Sequence, residues 1–353
     1  MNYEYKALPW NILFGNGSIS RLPQEIKKLG LKKALVLTTP NQGNEGQKVV
    51  NILGPLAIGL YSNAKMHVPV ATMNEAIDIA NGLEADCTVA IGGGSTTGLG
   101  KALAAKMDLP NIVLPTSYAG SEMTDIWAVT EADRKVTMRD FRVVPTLTIY
   151  DPELTLALPL KFAASSGLNA MAQAIVNIAT DNPNPMISLM ALEGVKALAR
   201  GLPRLKNKDD LEAREIVLYG ASLAGGALGT GVTSLHHSLC HALGGTFKAP
   251  HAETHAILLP HTLAYNADAT KAQTNKIADA LGVENAAEGI YDLAKQLDVP
   301  LSLRDIGIGE NDIELAIDAT LDGPINNPEP VTKEKLHTLL KNALDGVRPG
   351  VYH

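Results

Sequence analysis

The hydrophobic period of the chain changes once, and that change limits the possible folds more than any other feature. Up to about residue 155, short apolar runs alternate with helical patterns. Lys33–Thr39 (KALVLTT) contains an unbroken apolar run that predicts a buried strand, and Ile58–Tyr61, Cys87–Ile91, Asn111–Thr116 and Pro145–Tyr150 are four more. Helical spacing fills Thr72–Glu84 and Thr97–Met107 between them. Strands that alternate with helices in this way predict a mostly parallel, doubly wound α/β sheet. From Leu156 onward the pattern is helical only. Apolar residues recur at 3–4 spacing through Ala163–Ala179, Met186–Arg200, Leu211–Ala227, Leu235–Leu243, Lys271–Leu281, Ala286–Leu297, Asp312–Thr320 and Lys333–Leu344. The expectation is an α/β domain over 1–155 and an all-helical domain over 156–353, with a ligand cleft at their junction.

Charge and cysteine content restrict the partners. Thirty Lys and Arg against 37 Asp and Glu leave a formal charge of −7. No basic cluster exceeds a residue pair, which argues against nucleic acid. No apolar run approaches the roughly 18–20 residues of a membrane span. The opening Met1–Lys6 lacks the basic and apolar regions of a secretory leader. Cys87 and Cys240 are too few for a disulfide framework. A cytoplasmic protein acting on a small molecule is the expectation.

Three glycine-containing segments could meet a ligand. The strongest is Ile91–Gly98 (IGGGSTTG), which follows a predicted strand and opens a helix. Glycines permit close backbone approach, and the first N–H groups of a helix favour an anion such as a pyrophosphate. The segment is neither a Walker A loop nor GxGxxG. Pro115–Glu122 (PTSYAGSE) puts hydroxyls at the carboxyl end of a strand, where open α/β sheets bind ligands. Phe14–Ser18 (FGNGS) alone reads as a hairpin or turn before a helix.

Histidines crowd one stretch. His236, His237, His241 and His251 are followed closely by His255 and His261. His237 and His241 are four apart, and His251 and His255 repeat the interval, so each pair shares a helix face. HExxH is absent, since the sequence reads HAETH. Metal ligation, acid–base chemistry and hydrogen bonding in a core all remain open to these residues, although their density favours function.

Taken in order, these segments resemble the iron-containing (group III) alcohol dehydrogenase superfamily, and within it the maleylacetate reductases. The likeness rests on Phe14–Ser18, GGGSTTG at 92–98, LPTSYAGSEMT at 114–124, YDPELTLALP at 150–159, GLNA at 167–170 and HHSLCHALGGTFKAPHAETHAILLPH at 236–261. The resemblance implies that Gly92, Gly93, Gly94 and Ser95 form the pyrophosphate loop and that Thr116, Ser117 and Tyr118 flank the nicotinamide half of the cofactor. Many relatives carry an acidic residue after the strand ending here at Thr38, where it selects the unphosphorylated ribose. Thr39 stands there instead, which removes repulsion against a 2′-phosphate and allows NADH or NADPH. Metal-using relatives bind their ion through an Asp and a His four apart on one helix and two later histidines. Asn169, Gln173, His237 and His251 occupy those positions here. Two neutral amides are poor ligands for iron or zinc, so no metal is expected.

The chemistry implied is reduction of the conjugated carbon–carbon double bond of maleylacetate, a small dicarboxylate, to 3-oxoadipate in aromatic-compound degradation. His241, His251 and His237 are candidate proton handlers and enolate stabilisers, with Asn169 as a neutral donor. His255, Lys248 and Gln173 are candidates for binding substrate. A homodimer is implied by the resemblance alone. The alternatives are a metal-dependent group III alcohol or glycerol-type dehydrogenase, a lyase of dehydroquinate synthase type and a non-catalytic nucleotide-binding module.

Overall fold

The computed structural model describes residues 3–132, 134–206 and 210–350. Two compact units divide the chain, Ala7–Leu158 and Pro159–His353, with Met1–Lys6 grouped with the second. In chain order the first runs β1 (Ile12–Phe14), α1 (Leu22–Lys28), β2 (Ala34–Leu37), α2 (Gly43–Leu53), β3 (Ala57–Tyr61), α3 (Val70–Gly82), β4 (Cys87–Gly92), α4 (Gly94–Met107), β5 (Asn111–Pro115), β6 (Ile126–Glu131), β7 (Arg134–Arg139) and β8 (Leu147–Tyr150).

Six of these strands form one sheet in the order β1-β8-β5-β4-β2-β3, with every neighbouring pair parallel. The short apolar runs are strands because both sides of each must be covered. Ala34 and Val36 of β2 enter a core with Leu22 and Ile26 of α1 and Val49 and Leu53 of α2. Leu35 and Leu37 enter the opposite core, with Met73, Ala76 and Ala80 of α3 and Leu99, Ala102 and Leu103 of α4. This is the doubly wound arrangement. The chain leaves β2 toward β3 on one side and returns to β4 on the other, so the strand order reverses between β2 and β4. In open α/β sheets ligands bind at the carboxyl ends of the strands flanking such a reversal.

Two features differ from the sequence reading. Phe14–Ser18 is the turn before a helix that one reading allowed and not a hairpin, and it follows an unforeseen strand: β1 pairs in parallel with β8, and the turn after it is tied to Asp151. Gly17 N–H and Ile19 N–H donate to the two Asp151 oxygens at 3.1 and 3.0 Å. An antiparallel hairpin, β6–β7, also occupies the stretch between the predicted fourth and fifth strands.

Lys101 secures the segment following β5. It lies on α4, is completely buried, and donates to Thr124 O, Thr124 Oγ1 and Ile126 O at 2.7, 2.9 and 2.8 Å.

The second unit contains α5 (Leu160–Val176), α6 (Pro185–Gly201), α7 (Leu211–Thr230), α8 (Leu235–Phe247), α9 (His251–Asn266), α10 (Lys271–Leu281), α11 (Ala286–Gln296), α12 (Ile313–Leu321) and α13 (Lys333–Leu344). α5 is buried without interruption from Ala163 to Val176, and α9 from Thr254 to Asn266, so these two pack at the centre. A core of Leu235, Leu239, Leu243, Ile257, Leu258, Ile317, Leu336 and Leu340 joins α8, α9, α12 and α13. α5 stops three residues before the predicted Ala179 because Asn177 folds back. Its Nδ2 donates to Gln173 O at 2.9 Å and its Oδ1 accepts from Val232 N–H at 2.7 Å. A Cβ at Gly231 would lie 1.8 Å from that oxygen, so the contact requires glycine. Among the described residues no single helix is long and apolar enough to cross a membrane.

Lys101→Met should lower stability by about 2–4 kcal/mol, since it deprives buried acceptors of their donor. Urea unfolding measures this; a loss under about 1 kcal/mol would mean that the acceptors find other partners.

Candidate functional site

The carboxyl edge of the sheet brings three sequence-predicted segments together. Gly92 ends β4, Gly93 is the N-cap of α4, and Gly94 is its first residue. No side chain caps this helix and no acidic residue lies in its first turn. Its leading N–H groups, which have no intrahelical partner, are thus available to an anion. Neighbouring residues leave no room for side chains on the loop. A Cβ on Gly92 would lie 2.4 Å from Thr96 Oγ1 and 2.8 Å from Gln42 Oε1, and one on Gly93 would lie 2.8 Å from Ser117 Oγ. The loop after β5 closes against it: Thr116 N–H donates to Gly92 O at 3.0 Å, and Gln42 Nε2 donates to Thr116 Oγ1 at 3.0 Å. Ser95 is half-buried, and Tyr118 is fully buried. Thr39 follows β2 and donates through Oγ1 to Gln42 Oε1 at 3.3 Å. Gln42 therefore links the three segments, a role that its position in an unremarkable PNQ stretch did not signal. A dinucleotide pyrophosphate suits this uncapped, glycine-lined helix start.

The second constellation lies on α8 and α9. The turn between them, Lys248–Pro250, begins with Lys248 in the left-handed region at φ +58°. Five histidine rings form a contiguous group. His251 lies 4.4 Å from His255 between ring centres, His255 lies 5.4 Å from His237 and 4.8 Å from His236, and His237 lies 6.4 Å from His241. His241 and His251 are exposed, whereas His236, His237 and His255 are buried. His261 is buried outside this set of ring contacts, and Lys248 is exposed. Asn169 and Gln173 are buried one turn apart on α5.

The buried rings are held neutral. Burial, and then repulsion from neighbouring rings, pulls His236 down to about 3 and holds His237 and His255 well below the ordinary histidine range. Burial alone brings His261 to about 4. The buried atoms that make no hydrogen bond include Asn169 Oδ1, His237 Nδ1 and His255 Nε2. Each such atom costs about 1–3 kcal/mol, a cost usually tolerated where a ligand or reaction uses the group.

His236 is the residue that sequence reasoning left without a role. Its Nε2 lies 2.8 Å from His255 Nδ1 and 3.8 Å from Cys240 Sγ, and its Nδ1 lies 3.0 Å from Thr262 Oγ1. The i,i+4 pair His236 and Cys240 was the available signal. His236, Cys240 and His255 offer ligand atoms within 4.8 Å of one another, yet they do not suit a metal ion. Two nitrogens on one tetrahedral zinc stand about 3.3 Å apart, farther than this hydrogen-bonded pair. Burial also pushes the Cys240 thiol well up, away from the thiolate a metal needs.

Two family models match the chain. Residues 9–152 match the iron-containing alcohol dehydrogenase model, and residues 163–344 match the C-terminal model of the Fe-containing alcohol dehydrogenase family. The chain belongs to the iron-containing alcohol dehydrogenase family. Within this family, it is 46% identical over 350 residues to maleylacetate reductase of Sphingobium indicum, covering 99% of each chain. It is 48% identical over 348 residues to maleylacetate reductase of Burkholderia cepacia, covering 98% of this chain and 99% of the relative. The solved maleylacetate reductase of a Rhizobium species is 45% identical and superposes with a TM-score of 0.95 over 99% of each chain. The family's name implies iron. The four positions that the sequence resemblance sets against its ligands hold Asn169, Gln173, His237 and His251, a donor set without a carboxylate to offset a buried dication. These residues do not suit the ion.

The neutral rings have a measurable consequence. An unfolded histidine takes up its proton near pH 6.5, whereas these buried rings refuse it until about pH 3–4. Below 6.5 the unfolded state therefore binds more protons, so the helical unit keeps its full stability above that pH and loses it as pH falls. At one unit below 6.5 each such ring costs about 1.4 kcal/mol. Urea unfolding at about pH 7.5 and about pH 5.5, where most carboxylates stay ionised, should show a clear drop in midpoint. Equal midpoints would mean that the rings are protonated in the folded protein.

Proposed function

We propose that this chain reduces maleylacetate to 3-oxoadipate with NADH or NADPH, in the degradation of aromatic compounds, and without a catalytic metal. The observation that carries the reading is a histidine cluster with amides at the charged ligand positions, in a chain 46–48% identical to maleylacetate reductases from end to end. On this reading residues 1–155 bind the dinucleotide and residues 156–353 act on the substrate, in a cytoplasmic homodimer.

Gly92, Gly93, Gly94 and Ser95 would hold the pyrophosphate, with Thr116, Ser117 and Tyr118 beside the nicotinamide and Thr39 near the adenine ribose. At that place the cofactor would supply the hydride needed at the alkene carbon β to the ketone. The protein must then hold the ketone oxygen as it gains charge and deliver a proton to the α carbon. His241 and His251 are exposed, and histidine side chains can serve as general acids or bases. His237 is buried and neutral, so it serves as a fixed dipole rather than a proton carrier. Asn169 offers an amide donor that needs no charge. Hydrogen-bond donors of this kind can replace a Lewis acid because the conjugated alkene is already electron-poor. Of the groups expected at the substrate carboxylates, Lys248 supplies positive charge and Gln173 an amide donor. His255 lies deeper, bonded to His236.

The deciding assay follows oxidation of reduced nicotinamide with maleylacetate and with a panel of simple aldehydes and ketones, before and after exhaustive chelation. Turnover of maleylacetate should survive chelation, and NADH and NADPH should differ by less than about a thousandfold in kcat/KM, roughly 4 kcal/mol. Preference for simple carbonyls with metal-restored activity would instead establish a metal-dependent alcohol dehydrogenase.

His241→Ala and His251→Ala should each lower kcat by roughly 10²–10³ with little change in cofactor affinity, since each donor matters most when enolate charge develops. Steady-state kinetics on folded variants checks this, and a near-normal kcat would remove that histidine from the mechanism.

A further inference from the structure

Beneath the exposed histidines, buried groups of α8 and α9 are joined end to end. Thr262 Oγ1 lies 3.0 Å from Leu258 O and 3.2 Å from Leu259 O, a turn back along its own helix, and 3.0 Å from His236 Nδ1. His236 Nε2 lies 2.8 Å from His255 Nδ1. Cys240 Sγ lies 3.8 Å from the same His236 nitrogen. His236, Cys240, His255 and Thr262 are all buried, and neither imidazole has a carboxylate among its hydrogen-bond partners. At the far end, His255 Nε2 makes no hydrogen bond.

Each contact in such a chain holds one hydrogen, so the donor at one contact dictates the donor at the next. If the Thr262 hydroxyl gives its hydrogen to the helix carbonyl, it must accept from His236 Nδ1–H. His236 Nε2 is then bare and accepts from His255 Nδ1–H, which leaves His255 Nε2 bare. In the opposite order Thr262 donates to His236, His236 donates to His255, and His255 ends with its hydrogen on Nε2. One observation selects the first order. The hydroxyl stands within bonding distance of two backbone carbonyls, which can only accept.

We propose that Thr262 and His236 form a one-way relay that fixes His255 as the Nδ1–H tautomer, so that His255 offers the histidine cluster an acceptor and never a donor. A bare nitrogen repels a carboxylate, so His255 does not anchor the substrate directly. It is a positioning residue, whose bare nitrogen can accept an N–H and cannot give one. His251 is the nearest ring, at 4.4 Å between centres. The effect on turnover rests on the reductase reading, whereas the tautomer does not.

Long-range proton–nitrogen NMR on the full chain, labelled with ¹⁵N-histidine and free of substrate and cofactor, reads the tautomers directly. His236→Gln and His255→Gln assign the signals. Both rings should carry hydrogen on Nδ1, the minor form of free histidine. Thr262→Val removes the acceptor at nearly constant shape. It should move the hydrogen of both rings to Nε2 and lower kcat on maleylacetate about tenfold, with the KM for reduced nicotinamide unchanged. Thr262→Ser should restore both tautomer and rate. Hydrogen on Nε2 of His255 in the unmodified chain would overturn the relay, as would unchanged tautomers in Thr262→Val. Should Thr262→Val fail to fold, the unmodified chain and Thr262→Ser still decide, since both must show the Nδ1–H form. Fixed tautomers in a chain inactive on maleylacetate would uphold the relay and refute the reductase reading.

Discussion

A parallel sheet covered on both faces leaves only the ends of its strands for chemistry. In the first unit, α1 and α2 seal one face and α3 and α4 the other, so alternate residues of β2, β4 and β5 are all committed to cores. Polar groups that must reach a ligand are driven to the carboxyl ends. Thr38 and Thr39, the glycines from Gly92 to Gly94, and Thr116 to Tyr118 all lie there, beside the reversal of strand order. The close approach of these segments excludes side chains at Gly92 and Gly93, and Lys101 ties down Thr124 and Ile126 farther along the chain from the third.

The helical unit meets a different constraint. Its central helices are buried all round, so each polar side chain they carry must find a partner or remain costly. Thr262, His236 and His255 find one another, whereas Asn169 Oδ1 and His237 Nδ1 do not. The satisfied groups stiffen the base of the cluster, and the exposed His241 and His251 stand above it with access to solvent protons. The buried rings, held neutral, and the two amides present dipoles rather than charges to their surroundings.

Much of this was legible from residue order. Strands rich in Val, Ile and Leu declared themselves because double burial removes polar alternation, and long amphipathic segments such as Lys271–Leu281 and Lys333–Leu344 matched their helices to the residue. The three residues of β1 were too few to register, and their pairing with β8 depends on a partner more than a hundred residues away. The hairpin β6–β7 lay in a stretch where no buried run stood out, since its exposed positions take either kind of residue. In the site, crowding of histidines was visible, but which ring bonds to which was not. His236 points about 100° round the helix from His237, and only the packing of α9 against α8 gives it a partner. Gln42 and Lys101 were equally silent, because their roles are set by segments distant in sequence.

The pairing of β1 with β8 also bears on how the chain comes off the ribosome. Ile12 lies opposite Thr148, and β8 itself stands between β1 and β5. The first strand synthesised therefore has no place to dock until nearly the whole α/β unit has emerged. During translation β2, β3, β4 and β5 can assemble with their helices, but the edge of β5 stays open and the amino-terminal segment waits unpaired. Asp151, one residue beyond β8, then binds the turn at Gly17 and Ile19. That carboxylate acts as a late latch: it joins the oldest part of the nascent unit to one of the newest, and completes the sheet only after its last strand has arrived.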